Sequence, residues 1–290
     1  MKQIVIISGK GGTGKTTFTS ALARIMPSKA LVDADVDASN LEIVTDAKEI
    51  NRDDFWDGQF AKIDQDKCVL CGKCYESCRF AAIISDNGNY LVDEHSCEGC
   101  KVCQLVCPVE AISMHDMNSG YLKHSETPFG GLFHGELSAG RDNSGKMVTK
   151  VREQGSDFAE ENDLDFVLID GAPGIGCQVI ASITGVDYAI AVAEPSLSAL
   201  HDLKRVVQVA EHFMVPVGIV INKADLNPEL AAEIKKWAGN REILGEIPFD
   251  KRIVKAMSRR KSPIEIGDDE LSLIYEDIYS NFIKDCQKKT

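Results

Sequence analysis

Across 290 residues there is no apolar run near the roughly 18–20 positions that a membrane-spanning helix needs; the longest are stretches such as Tyr188–Ala193. Positive charge is also scarce: 32 Lys and Arg stand against 45 Asp and Glu, a formal net charge of −13. Phosphate backbones are held by dense Lys and Arg, so this balance excludes general DNA or RNA binding. The composition carries no bias of the disordered or collagen-like kind. Met1-Lys2 leads straight into a strand-like Gln3–Ile7, with nothing resembling a signal peptide. A cytoplasmic protein without stable membrane association is expected. Cysteine is thin outside one block: Cys177 and Cys286 stand alone, and the other eight lie between Cys68 and Cys107. A secreted disulfide scaffold would be shorter and would spread its cysteines, whereas a cytosolic cluster reads as metal binding.

Elsewhere, short apolar runs alternate with helical stretches. Gln3–Ile7, Ala30–Val32, Phe166–Ile169, Tyr188–Ala193, Val217–Ile221 and Ile243–Ile247 predict buried strands, and Lys15–Met26, Ser196–Phe213 and Pro228–Ala238 predict helices. Such alternation implies an α/β fold, a mostly parallel sheet covered on both faces. Leu271, Ile274, Ile278, Phe282 and Ile283 recur at helical spacing, predicting a packing helix over residues 270–286. The cysteine block interrupts this pattern. The expected organisation is one discontinuous domain, residues 1–60 and 119–290, with a small α+β module inserted at 61–118. Ser119–Lys150, glycine-rich and polar, is read as the return connection, with Ser144-Gly145-Lys146 opening a helix.

Gly9-Lys10-Gly11-Gly12-Thr13-Gly14-Lys15-Thr16 satisfies G-x4-G-K-[ST] between a strand and a helix. Glycines let backbone N–H groups converge on phosphate oxygens, and the helix start adds the positive end of its dipole. Lys15 is expected at the β/γ-phosphates and the Thr16 hydroxyl on Mg²⁺. Gly9, Gly11, Gly12, Thr13, Gly14 and Thr17 complete the expected nucleotide cradle.

Lys10 is an extra lysine in that loop, and the run KGGTGKTT resembles the deviant Walker A loop of the MinD/Mrp/ParA class, to which the nitrogenase iron protein is related. The resemblance implies that Lys10 reaches across a dimer interface to the partner's nucleotide; a solvated loop residue is the plainer alternative. It implies further that Asp35 in Asp33-Ala34-Asp35-Val36-Asp37 orients the attacking water and that Asp37 lies near Mg²⁺, although such aspartates also cap turns. Asp170, in Asp170-Gly171-Ala172-Pro173-Gly174, would be the Walker B-type carboxylate, with the Gly174 backbone sensing the γ-phosphate. Asn222 and Pro248 fall where the class holds adenine. Asn222-Lys223-Ala224-Asp225 also resembles the guanine-reading motif of GTPases, so ATP as substrate is implied by the class alone.

Cys68-x2-Cys71-x2-Cys74-x3-Cys78 is repeated as Cys97-x2-Cys100-x2-Cys103-x3-Cys107-Pro108. This duplication resembles a bacterial ferredoxin with two [4Fe–4S] clusters, in which three cysteines hold one cluster and the fourth crosses to the other. The resemblance assigns Cys68, Cys71, Cys74 and Cys107 to one cluster and Cys97, Cys100, Cys103 and Cys78 to the second. Structural zinc more often takes two cysteine pairs around a longer spacer. Arg79 stands where a proline is usual. Cys177, seven residues beyond Asp170, matches a bridging cluster ligand of the nitrogenase iron protein; a small buried cysteine at a helix start is equally open. His134 and His201 lie in polar stretches and are read as neither metal nor cluster ligands.

The resemblance as a whole is to MinD-type ATPases with an inserted ferredoxin domain. It implies MgATP hydrolysis in a nucleotide-driven homodimer coupled to electron transfer toward a redox or metallocluster-accepting protein. The alternative is an ATP-dependent carrier that hands over an Fe–S or mixed-metal cluster. Spatial positioning of the MinD/ParA kind explains neither the eight cysteines nor the acidic surface.

Overall fold

A computed structural model of the chain describes residues 1–141, 143–267 and 269–289. In chain order the elements are β1 (Lys2–Ser8), α1 (Lys15–Ile25), β2 (Lys29–Asp33), α2 (Leu41–Val44), β3 (Lys48–Ile63), α3 (Lys73–Ser77), β4 (Ile83–Asp86), β5 (Asn89–Val92), α4 (Val102–Val106), β6 (Ile112–Thr127) and β7 (Gly130–Leu137). Then follow α5 (Ser144–Glu161), β8 (Phe166–Pro173), α6 (Cys177–Ile183), β9 (Tyr188–Ala193), α7 (Leu197–His212), β10 (Val217–Asn222), α8 (Pro228–Ala238), β11 (Glu242–Ile247), α9 (Lys251–Met257) and α10 (Asp269–Lys289). The chain forms two units. The larger comprises Met1–Asp53, Leu122–Glu136 and Ser144–Thr290, and the smaller Asp54–Tyr121 with Leu137–Asn143.

The sheet of the larger unit has the strand order β11-β10-β9-β1-β8-β2-β7, continued by β6 and β3. The pairings along β11 to β7 are all parallel. Ile4–Ile7 of β1 and Tyr188–Val192 of β9 are wholly buried, as apolar strands covered on both faces must be. Local chemistry sets the helix ends. Pro27, which cannot continue a helix, follows α1 and Met26. Ser196 caps α7 by accepting from the Ala199 amide, and Asn227 caps α8 by accepting from Leu230, with Pro228 in the first turn. The expected C-terminal packing helix is α10. It buries Leu271, Ile278 and Phe282, with Ile274 and Ile283 partly covered, and adds Tyr275, Asp285 and Cys286. The Tyr188 hydroxyl donates to Asp285 at 2.5 Å.

The stretch read as a polar return connection is instead β6 and β7 joined through Pro128-Phe129. Three of its polar side chains are buried with partners: Ser125 with His134, and Lys123 with the exposed Glu136. The helix expected from Ser144 is α5. No helix among the described residues is long and apolar enough to cross a membrane.

The smaller unit is built on a 29-residue repeat. Cys68, Cys71, Cys74 and Cys78 recur 29 positions on as Cys97, Cys100, Cys103 and Cys107, and α3 recurs as α4. The left-handed backbone recurs as well: Leu70 with Gly99, Gly72 with Lys101, and Ala81 with Glu110. A small apolar core of Ala61, Ile63, Cys74, Ile83 and Ile112 joins the two halves.

Candidate functional site

The glycine loop leaves the end of β1 and enters α1 at Lys15. Gly14 has φ 96, and a Cβ there would lie 2.2 Å from Asn222 Nδ2; a Cβ on Gly9 would lie 2.2 Å from the Asp202 backbone. Gly11 and Gly12 instead face open space, leaving their backbone approachable. Thr13 is buried, and its hydroxyl has no partner among the described residues, while its carbonyl accepts from Asn222 Nδ2 at 2.7 Å. Lys15 is buried, and its charge acts on both Asp35 and Asp170.

Asp170 accepts from Thr19 Oγ1 at 2.7 Å and hydrogen-bonds Thr16. Burial raises its carboxyl above the ordinary range, and Lys15 and the two hydroxyls work against that rise. In register with it on β2 is Asp33, fully buried. Asp33 Oδ2 accepts from Ser39 Oγ and from the amides of Asn40 and Leu41, and Oδ1 accepts from the Asp35 amide. Burial and the neighbouring Asp170 nonetheless push Asp33 up to about 7. Asp35 is half-buried and also raised, by burial first, with Lys15 opposing. Asp37 is exposed and accepts from Gln178 Nε2 at 2.5 Å. Lys15, Thr16, Asp35 and Asp170 are therefore brought together, with Asp33 and Thr19 added to the expected set. The Gly174 amide donates to the Ser8 carbonyl at 2.9 Å.

Lys10 is not a free loop side chain. Its Nζ pairs with Glu194 at 2.8 Å and reaches Ser196 and Ser198. Glu194 also pairs with Lys223 at 3.0 Å, and Lys223 Nζ donates to the Gly12 carbonyl. Burial raises Glu194, but the hydrogen bonds and charges of the two lysines outweigh it and leave the carboxyl below its ordinary range. Glu194 immediately follows β9. A polar residue at the carboxyl end of a buried parallel strand is the signal that marks it. A cavity of about 280 Å³ lies beside the loop, lined by Gly12, Gly14, Thr17, Asn222, Lys223, Pro248, Phe249 and α9 residues. Asp225 accepts from the Phe249 amide at 2.5 Å. Glycine amides, a buried lysine and an orphaned Thr13 hydroxyl suit a nucleoside triphosphate, and clustered hard oxygens suit Mg²⁺.

In the smaller unit, Cys68, Cys71, Cys74 and Cys107 line one small cavity, walled by Ile63, Val69, Tyr90, Val109, Ala111 and Ile112. Cys78, Cys97, Cys100 and Cys103 line another, walled by Ala61, Phe80, Ala82, Ile83, Val92 and Met114, with Glu98 and Lys101 beside them. The Ala111 amide donates to Cys107 Sγ at 3.3 Å and the Ala61 amide to Cys97 Sγ at 3.5 Å. Burial raises the thiols of Cys74 and Cys103, equivalent positions in the repeat. Such thiols stay protonated and inert unless a cation enters the cavity. Among the described residues no three His, Cys, Asp or Glu side chains converge on a point that would hold a single metal ion. Four sulfurs around an apolar space, with amides directed at sulfur, suit a polynuclear iron–sulfur group.

Arg79 is exposed. Cys177 is exposed at the first residue of α6, which corrects the reading of a buried cysteine at a helix start; Cys286 is the buried one. His134 is 1% exposed in β7, despite its polar sequence neighbours, and His201 is exposed beside Asp202.

Residues 4–264 match the CobQ/CobB/MinD/ParA nucleotide binding domain. An uncharacterised protein of Methanocaldococcus jannaschii is 32% identical over 261 residues, 89% of this chain and 88% of the relative. An iron-sulfur cluster carrier protein of Pyrococcus horikoshii is 25% identical over 287 residues, 92% of this chain and 80% of the relative. Among solved structures, the septum site-determining protein MinD complexed with Mg-ADP from Pyrococcus horikoshii superposes with a TM-score of 0.59 at 18% identity, covering 100% of this chain and 98% of that one, a likeness of fold alone. The chain belongs to the CobQ/CobB/MinD/ParA nucleotide-binding family, and its mostly parallel α/β sheet is that of a P-loop NTPase.

Proposed function

We propose that this member of the family hydrolyses MgATP, carries two [4Fe–4S] clusters, and uses its nucleotide cycle to gate electron transfer from those clusters to a protein that assembles or activates a metallocluster. In this reading residues 61–118 are a ferredoxin-like insert between residues 1–60 and 119–290. The observation that carries it is the crossed cysteine grouping: each cavity takes three cysteines from one half of the repeat and the fourth from the other. When bound, each cluster supplies a one-electron redox centre. Most of each lining is apolar, while Cys71 in one and Cys100 in the other are exposed to solvent.

Hydrolysis is in-line attack of water on the γ-phosphate. Asp35 orients the water, Lys15 and Lys10 meet the charge that develops on the phosphoryl oxygens, and Asp170 holds the Thr16 hydroxyl. Thr16 and Asp37 would hold Mg²⁺, which when bound neutralises the β- and γ-phosphates. Asn222 and Pro248 take the adenine in the cavity beside the loop. Lys10 acts on the nucleotide of a second copy, so a nucleotide-driven homodimer is part of the reading.

A second reading, cluster delivery, draws on two observations: Cys177 is exposed just after residues 170–174, the segment that resembles the second nucleotide switch of the class, and relatives covering most of the chain are named iron-sulfur cluster carrier proteins. Anaerobic isolation followed by iron and sulfide counts, with electron paramagnetic resonance of the reduced protein, tests the shared basis. About eight iron atoms per chain are expected. A chain that holds zinc or no metal, with ATP hydrolysis insensitive to Lys15→Ala, contradicts both readings. Cys177→Ala then separates them, because delivery should fail in that variant while electron transfer persists.

A further inference from the structure

The second switch is fastened at three points. Gly174 (φ 95) gives its amide to the Ser8 carbonyl at 2.9 Å, so the group expected to sense the γ-phosphate is already engaged at the end of β1. At the N-terminal end of α6, Gln178 holds Asp37, from the acidic run 33–37 that resembles the first switch of the class, at 2.5 Å. At the far end, Arg152 of α5 donates Nη1 to the carbonyls of Ala181 and Thr184, the latter at 2.9 Å, and Nη2 to Gln3 Oε1 at 2.7 Å. The last carbonyls of a helix lack intrahelical partners, and a guanidinium fork can hold several in fixed geometry. The helix that carries Arg152 is itself immobilised. It buries Met147, Val148 and Val151, and a Cβ on its Gly155 would lie 2.5 Å from Val32 of β2.

A two-turn helix held at one end moves at the other. We infer that Arg152 is the pivot of the second switch. When the γ-phosphate draws the Gly174 amide from Ser8, α6 swings about its Arg152-held end, and the displacement falls on Gln178 and its contact with Asp37. Arg152 is not among the residues lining the cavity beside the glycine loop; it is a positioning residue for hydrolysis that acts through α6. The inference rests on the ATPase reading of the site and adds to it the element that turns γ-phosphate sensing into directed movement.

The test uses full-length protein with Arg152→Ala and the milder Gln3→Met, which removes one acceptor and spares both carbonyl bonds. Affinity for a non-hydrolysable MgATP analogue is measured with kcat and KM for hydrolysis, and amide hydrogen exchange over residues 174–184 with and without the analogue. Analogue affinity is expected to stay within about threefold of wild type while kcat falls about tenfold in Arg152→Ala and about threefold in Gln3→Met, with KM unchanged. Exchange over 174–184, slowed by the analogue in wild type, should no longer respond in Arg152→Ala. Should that variant not fold, the kcat of Gln3→Met decides. Wild-type rates in the folded variants, or a preserved exchange response, would reduce Arg152 to a helix cap and overturn the inference. Parallel losses in affinity and kcat would place the damage at the nucleotide itself, also against it. A wild type that binds the analogue but hydrolyses no ATP would sink the ATPase reading along with the pivot.

Discussion

Lys10 and Glu194 are ion-paired at 2.8 Å, and the second oxygen of the same carboxylate holds Lys223 at 3.0 Å. One side chain at the end of β9 therefore ties the signature lysine and the base-side loop together. In the proposed dimer, Lys10 would leave this pair to reach a second copy's nucleotide. Glu194→Gln should weaken the hold, and sedimentation velocity should show dimer at lower concentrations of MgATP analogue than in wild type. A lower dimer fraction in the variant would mean that Glu194 is needed in the closed state rather than broken to reach it.

Two neighbouring glycines should behave differently. Gly14 combines φ 96 with the close approach of Asn222, so Gly14→Ala should lower stability by about 1–3 kcal/mol and abolish nucleotide binding. At Gly11 a Cβ meets nothing, so Gly11→Ala should change stability by less than about 0.5 kcal/mol yet still weaken binding where phosphate approaches. Thermal unfolding with and without nucleotide separates the two effects.

His134 should impose a pH dependence. Its Nε2 lies 3.0 Å from Ser125 Oγ and its Nδ1 3.6 Å from Glu42. Burial, then Lys123, hold it down to about 4, against the pull of Glu49 and Glu136. Unfolded, it titrates near 6.5. Between these values the unfolded chain binds a proton that the native chain refuses, so this contribution is complete above 6.5 and is lost as pH falls toward 4. Urea midpoints should drop with acid less steeply in His134→Gln than in wild type, by up to about 3 kcal/mol in stability. The difference between the two proteins isolates His134 from Asp33, whose slope has the opposite sign below its value of about 7.

The crossed cysteine grouping makes double variants informative. Cys71 and Cys107 line one cavity, so Cys71→Ala, Cys107→Ala and the pair together should each lose about half of the iron. Cys100 lines the other, so Cys100→Ala with Cys107→Ala should lose nearly all of it. Equal iron content in the two double variants would rule out this grouping.

Much of the fold was legible because its signals are local. Ile4–Ile7 and Tyr188–Ala193 read as buried strands, Pro27 and Asn227-Pro228 mark helix ends, and the x2 cysteine spacing survives as a 29-residue backbone repeat. Strands β6 and β7 were hidden because Lys123, Ser125 and His134 look like loop residues until their partners on neighbouring strands are known. Asp33 and Glu194 escaped for a related reason. Their roles depend on Asp170 and Lys10, each more than 100 positions away in the chain. Sequence reasoning chose Asp35 and Asp37 from the same acidic run; Asp35 does act on Asp170, and Asp33 joins it in register on the neighbouring strand. At Cys177, burial is decided by what covers the start of α6, which no spacing encodes.

Gated electron transfer requires that nucleotide state and the cysteine cavities be coupled. An anaerobic redox titration, run without nucleotide, with MgADP and with a non-hydrolysable MgATP analogue, measures that coupling. The analogue should move at least one cluster midpoint by more than about 60 mV, about 1.4 kcal/mol for one electron. Three superimposed curves from fully loaded protein would contradict gated electron transfer and move cluster delivery ahead of it.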